Sequence, residues 1–372
     1  MPAILYGGKD TWLRHYTSNR IGKEEITKII TALQASGEVL KDEEDRFRWK
    51  SFPAAPSTLA EKRKADGKAS SQESNQDTAV GTAATGAKDS PAVAARSWTE
   101  RQIFRSLGPI VNAIADVSLS GYSAACKYKE EPYSTDSEVP GSQHYIDGCL
   151  YLLESTSPRS NKRLPTSDVA VNFEYKVHAT DVDVIDNRWK AIYSAYHNLH
   201  NDCRRTHTYS ITIEDNNVSL WYFSRSHSAK SEPFDLLDVS AVVWALSALI
   251  FSTVEELGYD PDIRRVAEKD DKRKQHIRYV YRLGNCFYKT LKCLDEYDDL
   301  VIIGRATRVW EVIQVHGFDH LQAVTGATHA VLRDVWLDHG GATEGETQKK
   351  IFERCEEVAR NFPRDDDPRL IG

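Results

Sequence analysis

Residues 53–96 contain no aromatic side chain and consist mainly of Ala, Ser, Thr, Gly, Lys and Asp. A segment of this composition cannot bury enough apolar surface to offset the entropy that is lost when its backbone becomes ordered. The sequence therefore predicts a disordered insert at 53–96. The insert separates an N-terminal helical element at 1–52, which we expect to dock on the later part, from a much longer segment that begins at residue 97.

The composition excludes several classes of protein. The 372 residues include 48 Lys and Arg against 55 Asp and Glu, which gives a net charge of −7, whereas dedicated nucleic-acid binders are basic. The N-terminus lacks the continuous apolar run of a secretory signal, and the most apolar stretch, 239–254, is shorter than the ~20 residues of a bilayer span. We therefore expect an intracellular protein, cytoplasmic or nuclear, that binds no membrane. Nucleic acid is not the expected partner, and the sequence identifies no protein partner or substrate.

Residues 97–262 have the pattern of an α+β domain. The predicted elements are a helix that begins at the capping box Ser97–Glu100, strands at 145–153 and 169–177, a helix at 185–203, a hairpin with strands at 208–213 and 218–223, and an apolar helix at 239–257. Trp189 belongs to the stripe of the second helix that we expect to face the core. Strands and helices in this order predict a mixed sheet with packed helices.

Asp168, Glu174 and Lys176 form a D-x5-E-x-K pattern at the second predicted strand. In metal-dependent nucleases of the PD-(D/E)xK type, paired carboxylates hold Mg²⁺ and a lysine orients the attacking water. Alternation along a strand places Glu174 and Lys176 on one face, and the helix and hairpin that follow are compatible with a restriction-endonuclease-like fold. Two interpretations stay open, namely a metal-dependent nuclease-like site and an ion pair on an exposed strand.

The last part of the chain divides at about residue 299. Segment 263–298 mixes charges of both signs between 264 and 278, which predicts an exposed connector, with possible strands at 279–283 and 286–294. Segment 299–372 has the order strand, glycine turn, strand, loop, strand, helix. This order can be purely structural. It can also bind a nucleotide, because a glycine turn lets the backbone approach phosphates while a cation on the third strand pairs with them.

A series of short sequences resembles, in order and spacing, the fungal-type protein kinases of mushroom-forming fungi. The sequences are TYSITI at 208–213, LWYFSRS at 220–226, FDL at 234–236, EELGYDP at 255–261, IIGRATRVWEV at 302–312 and VLRDVWLD at 331–338. The resemblance covers about residues 98–360. It implies a protein-kinase-like domain preceded by an α+β region, with ATP and Mg²⁺ as the expected ligands.

The resemblance also implies which residues contact ATP. The loop over the phosphates would contain Gly304, Arg305, Ala306, Thr307 and Val309. Arg333 would stand where the family has the phosphate-pairing lysine, and Glu344 or Glu346 of the next helix would hold this cation. Arginine keeps the charge but replaces a compact ammonium with a planar fork, which is a departure from the pattern.

The catalytic motifs of a kinase do not occur in the sequence. A kinase needs an Asp and an Asn in an HRDxxxxN-type loop and a DFG-type Asp for Mg²⁺, and neither motif is present. Only about 40 residues follow Arg333, so we expect an incomplete kinase-like N-lobe at 299–372 of a truncated, inactive chain. The full-length family is expected to phosphorylate Ser or Thr with ATP. The alternative is a non-catalytic protein-interaction module.

Overall fold

The structure is a computed structural model that describes residues 4–18, 20–62, 100–130, 135, 144–154, 164–269, 275–296, 301–337 and 340–361. In chain order the elements are β1 (Ile4–Gly7), α1 (Lys9–Tyr16), α2 (Lys23–Ala35), β2 (Val39–Lys41), β3 (Phe47–Trp49), α3 (Leu107–Ala115), β4 (Cys126–Glu130), β5 (Gly148–Leu152), a 3-10 helix (Thr166–Asp168), β6 (Val169–Lys176), α4 (Asp181–Asn201), β7 (His207–Glu214), β8 (Asn217–Ser224), β9 (Ser228–Ser231), β10 (Phe234–Asp235), α5 (Val239–Ile250), β11 (Ile263–Lys269), β12 (Gln275–Leu283), β13 (Cys286–Glu296), β14 (Arg308–Val315), β15 (His329–Asp334) and α6 (Glu344–Asn361). Among these described helices, none has the length and apolarity that a membrane span requires.

The first large sheet is mixed and has eight strands. Its order is β1-β9-β8-β7-β6-β5-β4, and β10 pairs with β8. Most neighbours are antiparallel, but β6 runs parallel to β7 and β1 runs parallel to β9. Parallel neighbours need a crossover connection, which α4 provides between β6 and β7. The predicted α+β architecture, with a mixed sheet and packed helices, is confirmed.

The helices cover the two faces of this sheet with different kinds of side chain. On one face α3 and α5 share a large apolar core with β6 and β7, and α5 is buried along most of its length. On the other face α4 presents small or polar buried residues, among them Asn187 and Ser194. Trp189 is consequently 52% exposed. The prediction that Trp189 faces the core is wrong, because polar residues of β6 and β7 lie beneath α4.

The N-terminal segment packs against the same core as α5. Trp49 is buried, and its Nε1–H donates to the carbonyl oxygen of Leu236 at 2.8 Å. Ordered structure continues past the expected end of this segment, because residues 56–62 are helical and Ala60 is buried. The predicted insert 53–96 therefore begins too early, and the rest of it, from residue 63, lies outside the described residues.

Strands β11 to β15 form a second, antiparallel sheet in chain order. The predicted connector at 264–278 is wrong at both ends, since β11 pairs along its whole length with β12, which already begins at Gln275. The strand with which segment 299–372 was expected to open is not formed by its described residues 301–303. Instead β13 ends at Glu296, and residues 301–307 form an irregular segment, the glycine turn. Helix α6 follows β15, and its described side chains are exposed.

Candidate functional sites

Two carboxyl groups lie next to each other where β5 begins and β6 ends. Asp147 immediately precedes β5, and Glu174 lies on the antiparallel neighbour β6. The N–H of Asp147 donates to the carbonyl oxygen of Phe173 at 3.2 Å, and the N–H of Tyr175 donates to Oδ2 of Asp147 at 2.9 Å. These bonds fix the Asp147 carboxylate beside Glu174.

Glu174 is a strongly perturbed carboxyl group because its side chain is 1% exposed. Burial raises the pKa of Glu174 well above its usual range, and the charge of Asp147 raises it further. Lys190 and a hydrogen bond from Ser194, whose Oγ lies 3.3 Å from Oε1 of Glu174, offset this only in part. A carboxyl pair of this kind binds a proton or another cation to relieve its repulsion.

Two lysines lie beside the carboxyl pair. Lys190 on α4 places Nζ 3.6 Å from Oε2 of Glu174 and 3.8 Å from Oδ2 of Asp147. Burial alone would lower the pKa of Lys190, but Asp147, Glu174 and further carboxylates together raise it to about 12. Lys176 lies on the same strand as Glu174, two residues on, and pairs with Asp186 of α4 at 2.6 Å. Lys190 therefore brings positive charge to the pair, whereas Lys176 forms its ion pair with Asp186.

A third carboxyl group comes from the helical segment 100–104. Burial raises the pKa of Glu100, Lys176 lowers it in part, and Asp147 raises it again. Glu100 therefore lies within electrostatic reach of Asp147 and of both lysines. We call these five residues, Glu100, Asp147, Glu174, Lys176 and Lys190, the carboxylate–lysine cluster.

Asp168 does not belong to this cluster. It lies in the 3-10 helix before β6, six residues of extended strand from Glu174, which corresponds to roughly 20 Å. Asp168 is buried, and its charge acts on Arg205. The structure thus brings Glu174 and Lys176 together, and Asp147 is the second carboxylate in place of Asp168. Its sequence signal is its position directly before an apolar strand.

The glycine turn, residues 301–307, is held by the end of the first sheet. Arg225 follows β8, and its Nη1 donates to the carbonyl oxygens of Val301 at 3.3 Å and Ile302 at 3.1 Å. In return the N–H of Gly304 donates to the carbonyl oxygen of Arg225 at 3.0 Å. Gly304 has a φ of 138°, a conformation that favours glycine. The segment that the resemblance implies to cover ATP is therefore attached to the α+β domain.

Arg333 lies on β15, which pairs with the strand that follows this turn. In the pairing of β14 with β15, Val309 is opposite Arg333, and the N–H of Trp336 donates to the carbonyl oxygen of Arg305 at 2.8 Å. The structure thus brings together the loop residues and the cation that the resemblance implies. Ala306, within the turn, is buried.

Of the two helix carboxylates, Glu346 caps the start of α6. Its Oε2 accepts hydrogen bonds from the N–H of Thr343 at 2.7 Å and from Oγ1 of Thr343 at 3.0 Å. The backbone bond and the side-chain bond lower the pKa of Glu346. The side chain of Glu344 lies outside the described residues.

Comparison with sequence models of protein families gives a match to the family described as Fungal protein kinase, over residues 146–366. The chain belongs to this family. The matched region begins next to Asp147 and extends past α6, so it contains most of the carboxylate–lysine cluster as well as the glycine turn. Comparison with curated proteins and with solved structures gives no match.

Proposed function

We propose that residues 286–361 bind the phosphates of Mg–ATP in a kinase-like protein whose full-length relatives transfer the γ-phosphate of ATP to a Ser or Thr hydroxyl. The observation that carries the proposal is the pairing of β14 with β15, which sets Arg333 opposite Val309, two residues after the glycine turn. In kinases a glycine loop covers the phosphates, a cation on the third strand pairs with them, and a helix follows. Strands β13, β14 and β15 and helix α6 have this order, and family membership supports the assignment.

The residues present fit a nucleotide in part. Arg333 supplies the positive charge that phosphates need, in a planar fork instead of a compact ammonium. The N–H of Gly304 is already bonded to Arg225, so this part of the backbone reaches a phosphate only after that contact opens. Because the sequence contains no HRDxxxxN-type loop and no DFG motif, the proposal for this chain is nucleotide binding without phosphate transfer.

Thermal unfolding with and without Mg–ATP tests the proposal. We expect Mg–ATP to raise the Tm of the wild-type chain, because a ligand that binds only the folded state stabilises it. Arg333→Ala should weaken binding by about 10- to 100-fold, which corresponds to the loss of a charge-assisted hydrogen bond. Arg282→Ala, which changes an arginine of β12 paired with Asp262, should keep the shift. A wild-type Tm that does not respond to Mg–ATP would contradict the proposal.

A non-catalytic protein-interaction module is the second candidate, and the contact of Arg225 with the glycine turn favours it. In this case the turn is a structural link between the two sheets, and Arg333 serves another contact. The same experiment separates the candidates, because a module of this kind gives no Mg–ATP shift in the wild type or in either variant.

A further inference from the structure

The carboxylate–lysine cluster is a second site that the proposed nucleotide contacts do not use. Its simplest explanation is a structural ion pair. However, two adjacent carboxyl groups, one of them fully buried, destabilise a fold unless a cation offsets their repulsion. Lys190 is the cation that lies within ion-pair distance of both carboxyl groups.

Lys190 marks a cation position between the two carboxyl groups. Its Nζ is 3.6 Å from Glu174 and 3.8 Å from Asp147, whereas charge-assisted hydrogen bonds measure about 2.7–2.9 Å. The ammonium can therefore be replaced by a smaller ion of higher charge. Within the described residues, no three His, Cys, Asp or Glu side chains surround one metal position. Two carboxylates suffice for Mg²⁺, which takes its other ligands from waters and phosphate oxygens.

Asn172 is an independent observation that points to a ligand at this site. Its side chain is fully buried, and neither its nitrogen nor its oxygen has a hydrogen-bond partner among the described residues. Alternation along β6 places Asn172 on the same face as Glu174, towards α4. A buried amide without partners is rare, because it has lost its bonds to water without replacement. A water of a hydrated metal ion would satisfy it.

Exposed aromatic side chains lie next to the cluster in sequence. Tyr145, two residues before Asp147, is 56% exposed, and Trp189, adjacent to Lys190, is 52% exposed. Tyr193 lies one turn further along α4 and is also exposed. Aromatic side chains beside positive charge are the platform on which unpaired bases stack. The net charge of −7 disfavours general polyanion binding, but a bound metal ion supplies positive charge locally.

We propose that the cluster binds Mg²⁺ through Asp147 and Glu174 and hydrolyses phosphodiester bonds of single-stranded nucleic acid. This is the nuclease-like interpretation of the sequence, with Asp147 in place of Asp168. Lys190, released from the carboxyl groups, neutralises a phosphate oxygen.

In the proposed reaction a water oxygen forms a new bond to phosphorus while the bond from phosphorus to the leaving sugar oxygen breaks. Glu100 would accept the proton of the attacking water and then pass it, through solvent, to the leaving sugar oxygen, so that its carboxylate is restored. A Mg²⁺ ion held by Asp147 and Glu174 would supply positive charge to the phosphate oxygens. One water is consumed, and the products are a phosphate monoester and a hydroxyl group.

Cleavage of labelled oligonucleotides tests the activity. The purified chain is incubated with single-stranded DNA, single-stranded RNA or a duplex, in Mg²⁺, Mn²⁺ or EDTA, and we expect cation-dependent cleavage of a single strand. Glu174→Gln should lower the rate by more than about 100-fold, because a metal ligand contributes more than its outer partners do. The matched control is Glu268→Gln, a carboxylate paired with Lys289 in the second sheet, which should cleave at the wild-type rate.

Binding of Mn²⁺, followed by electron paramagnetic resonance, tests the site without relying on activity. The wild type and Glu268→Gln should bind Mn²⁺, and Glu174→Gln should bind it about tenfold or more weakly with an unchanged circular dichroism spectrum. Equal cleavage by the wild type and Glu174→Gln, or no Mn²⁺ binding by the wild type, would overturn the proposal. Mn²⁺ binding without any cleavage would overturn its hydrolytic part, and a preference for the duplex would overturn the assignment to single strands.

Discussion

At the scale of single residues, His144 shows how this fold keeps an ionisable group neutral. The side chain is fully buried, with Nε2 3.0 Å from Oγ of Ser194 and Nδ1 3.0 Å from Oγ1 of Thr135. Its ring stacks on His197 with the centroids 4.5 Å apart. Burial lowers the pKa of His144 to about 3, and the neighbouring His197 contributes to this shift. The same Ser194 also bonds Glu174, so the neutral imidazole helps to position the carboxyl pair.

His144 should make the free energy of unfolding depend on pH. In the unfolded chain a histidine titrates near ~6.5, whereas His144 in the folded chain stays neutral down to about 3. As the pH falls below the pKa of this histidine in the unfolded chain, only the unfolded state binds the proton. The free energy of unfolding therefore decreases by up to about 1.4 kcal/mol per pH unit. Urea unfolding at pH 7 and at pH 5 should therefore show a smaller loss for His144→Gln than for the wild type. The exposed His178→Gln should match the wild type, and equal losses in all three proteins would contradict the prediction.

The sequence predicted the part of the carboxylate–lysine cluster that lies on one strand. Glu174 and Lys176 are two residues apart, so alternation alone places them on one face. Asp147 reaches Glu174 through the register in which Gly148 pairs with Phe173, and sequence spacing does not contain this register. Asp168 is nearer to Glu174 in the sequence than Asp147 is. However, six residues of extended strand place Asp168 and Glu174 roughly 20 Å apart.

At the scale of elements, strands with a clear alternation could be predicted and the orientation of α4 could not. The expected strands 208–213 and 218–223 are confirmed as β7 and β8, because period-two patterns on both sides of a turn specify a hairpin. The apolar stripe of α4 is partly exposed, since the sheet face beneath it is polar. Strand β11 escaped prediction because the mixed charges of an edge strand resemble those of a loop.

Removal of the Arg225 side chain should release the glycine turn. Arg225→Ala eliminates the donors to the carbonyl oxygens of Val301 and Ile302, so we expect the amide of Gly304 to exchange hydrogen about 10- to 100-fold faster. Hydrogen-exchange mass spectrometry measures this change, and a circular dichroism spectrum verifies the fold. Arg264→Ala, an arginine of β11, is the control and should leave the exchange unchanged. Unchanged exchange in a folded Arg225→Ala protein would show that other contacts hold the turn.

At the scale of the whole molecule, the carboxyl end of α4 joins the two sheets. The last carbonyl groups of a helix have no partner within the helix. Here Nη2 of Arg308 donates to the carbonyl oxygens of Leu199 at 3.0 Å and His200 at 2.7 Å. The hydroxyl of Tyr279 donates to the carbonyl oxygen of Asn201 at 3.3 Å. Both donors belong to the second sheet, and the positive charge of Arg308 is favourable at a helix C-terminus. The second sheet thus completes α4, so we expect the two sheets to unfold together.

Arg308→Ala should separate the unfolding of the two sheets. Arg308 is buried and also pairs with Glu296 at 2.8 Å. Its removal takes the donor from the His200 carbonyl and from Glu296, while the Leu199 carbonyl keeps a bond from Arg225, and should cost up to about 3 kcal/mol. Because most of these contacts join the second sheet to α4, we expect peptides from 275–296 to lose exchange protection at lower urea than peptides from 239–250. In the wild type and in Arg282→Ala, both sets of peptides should lose exchange protection at the same urea concentration. If Arg308→Ala also keeps one midpoint, the coupling must come from the apolar contacts of Tyr279 and Tyr281 with Cys203, two residues after α4, which the substitution leaves in place.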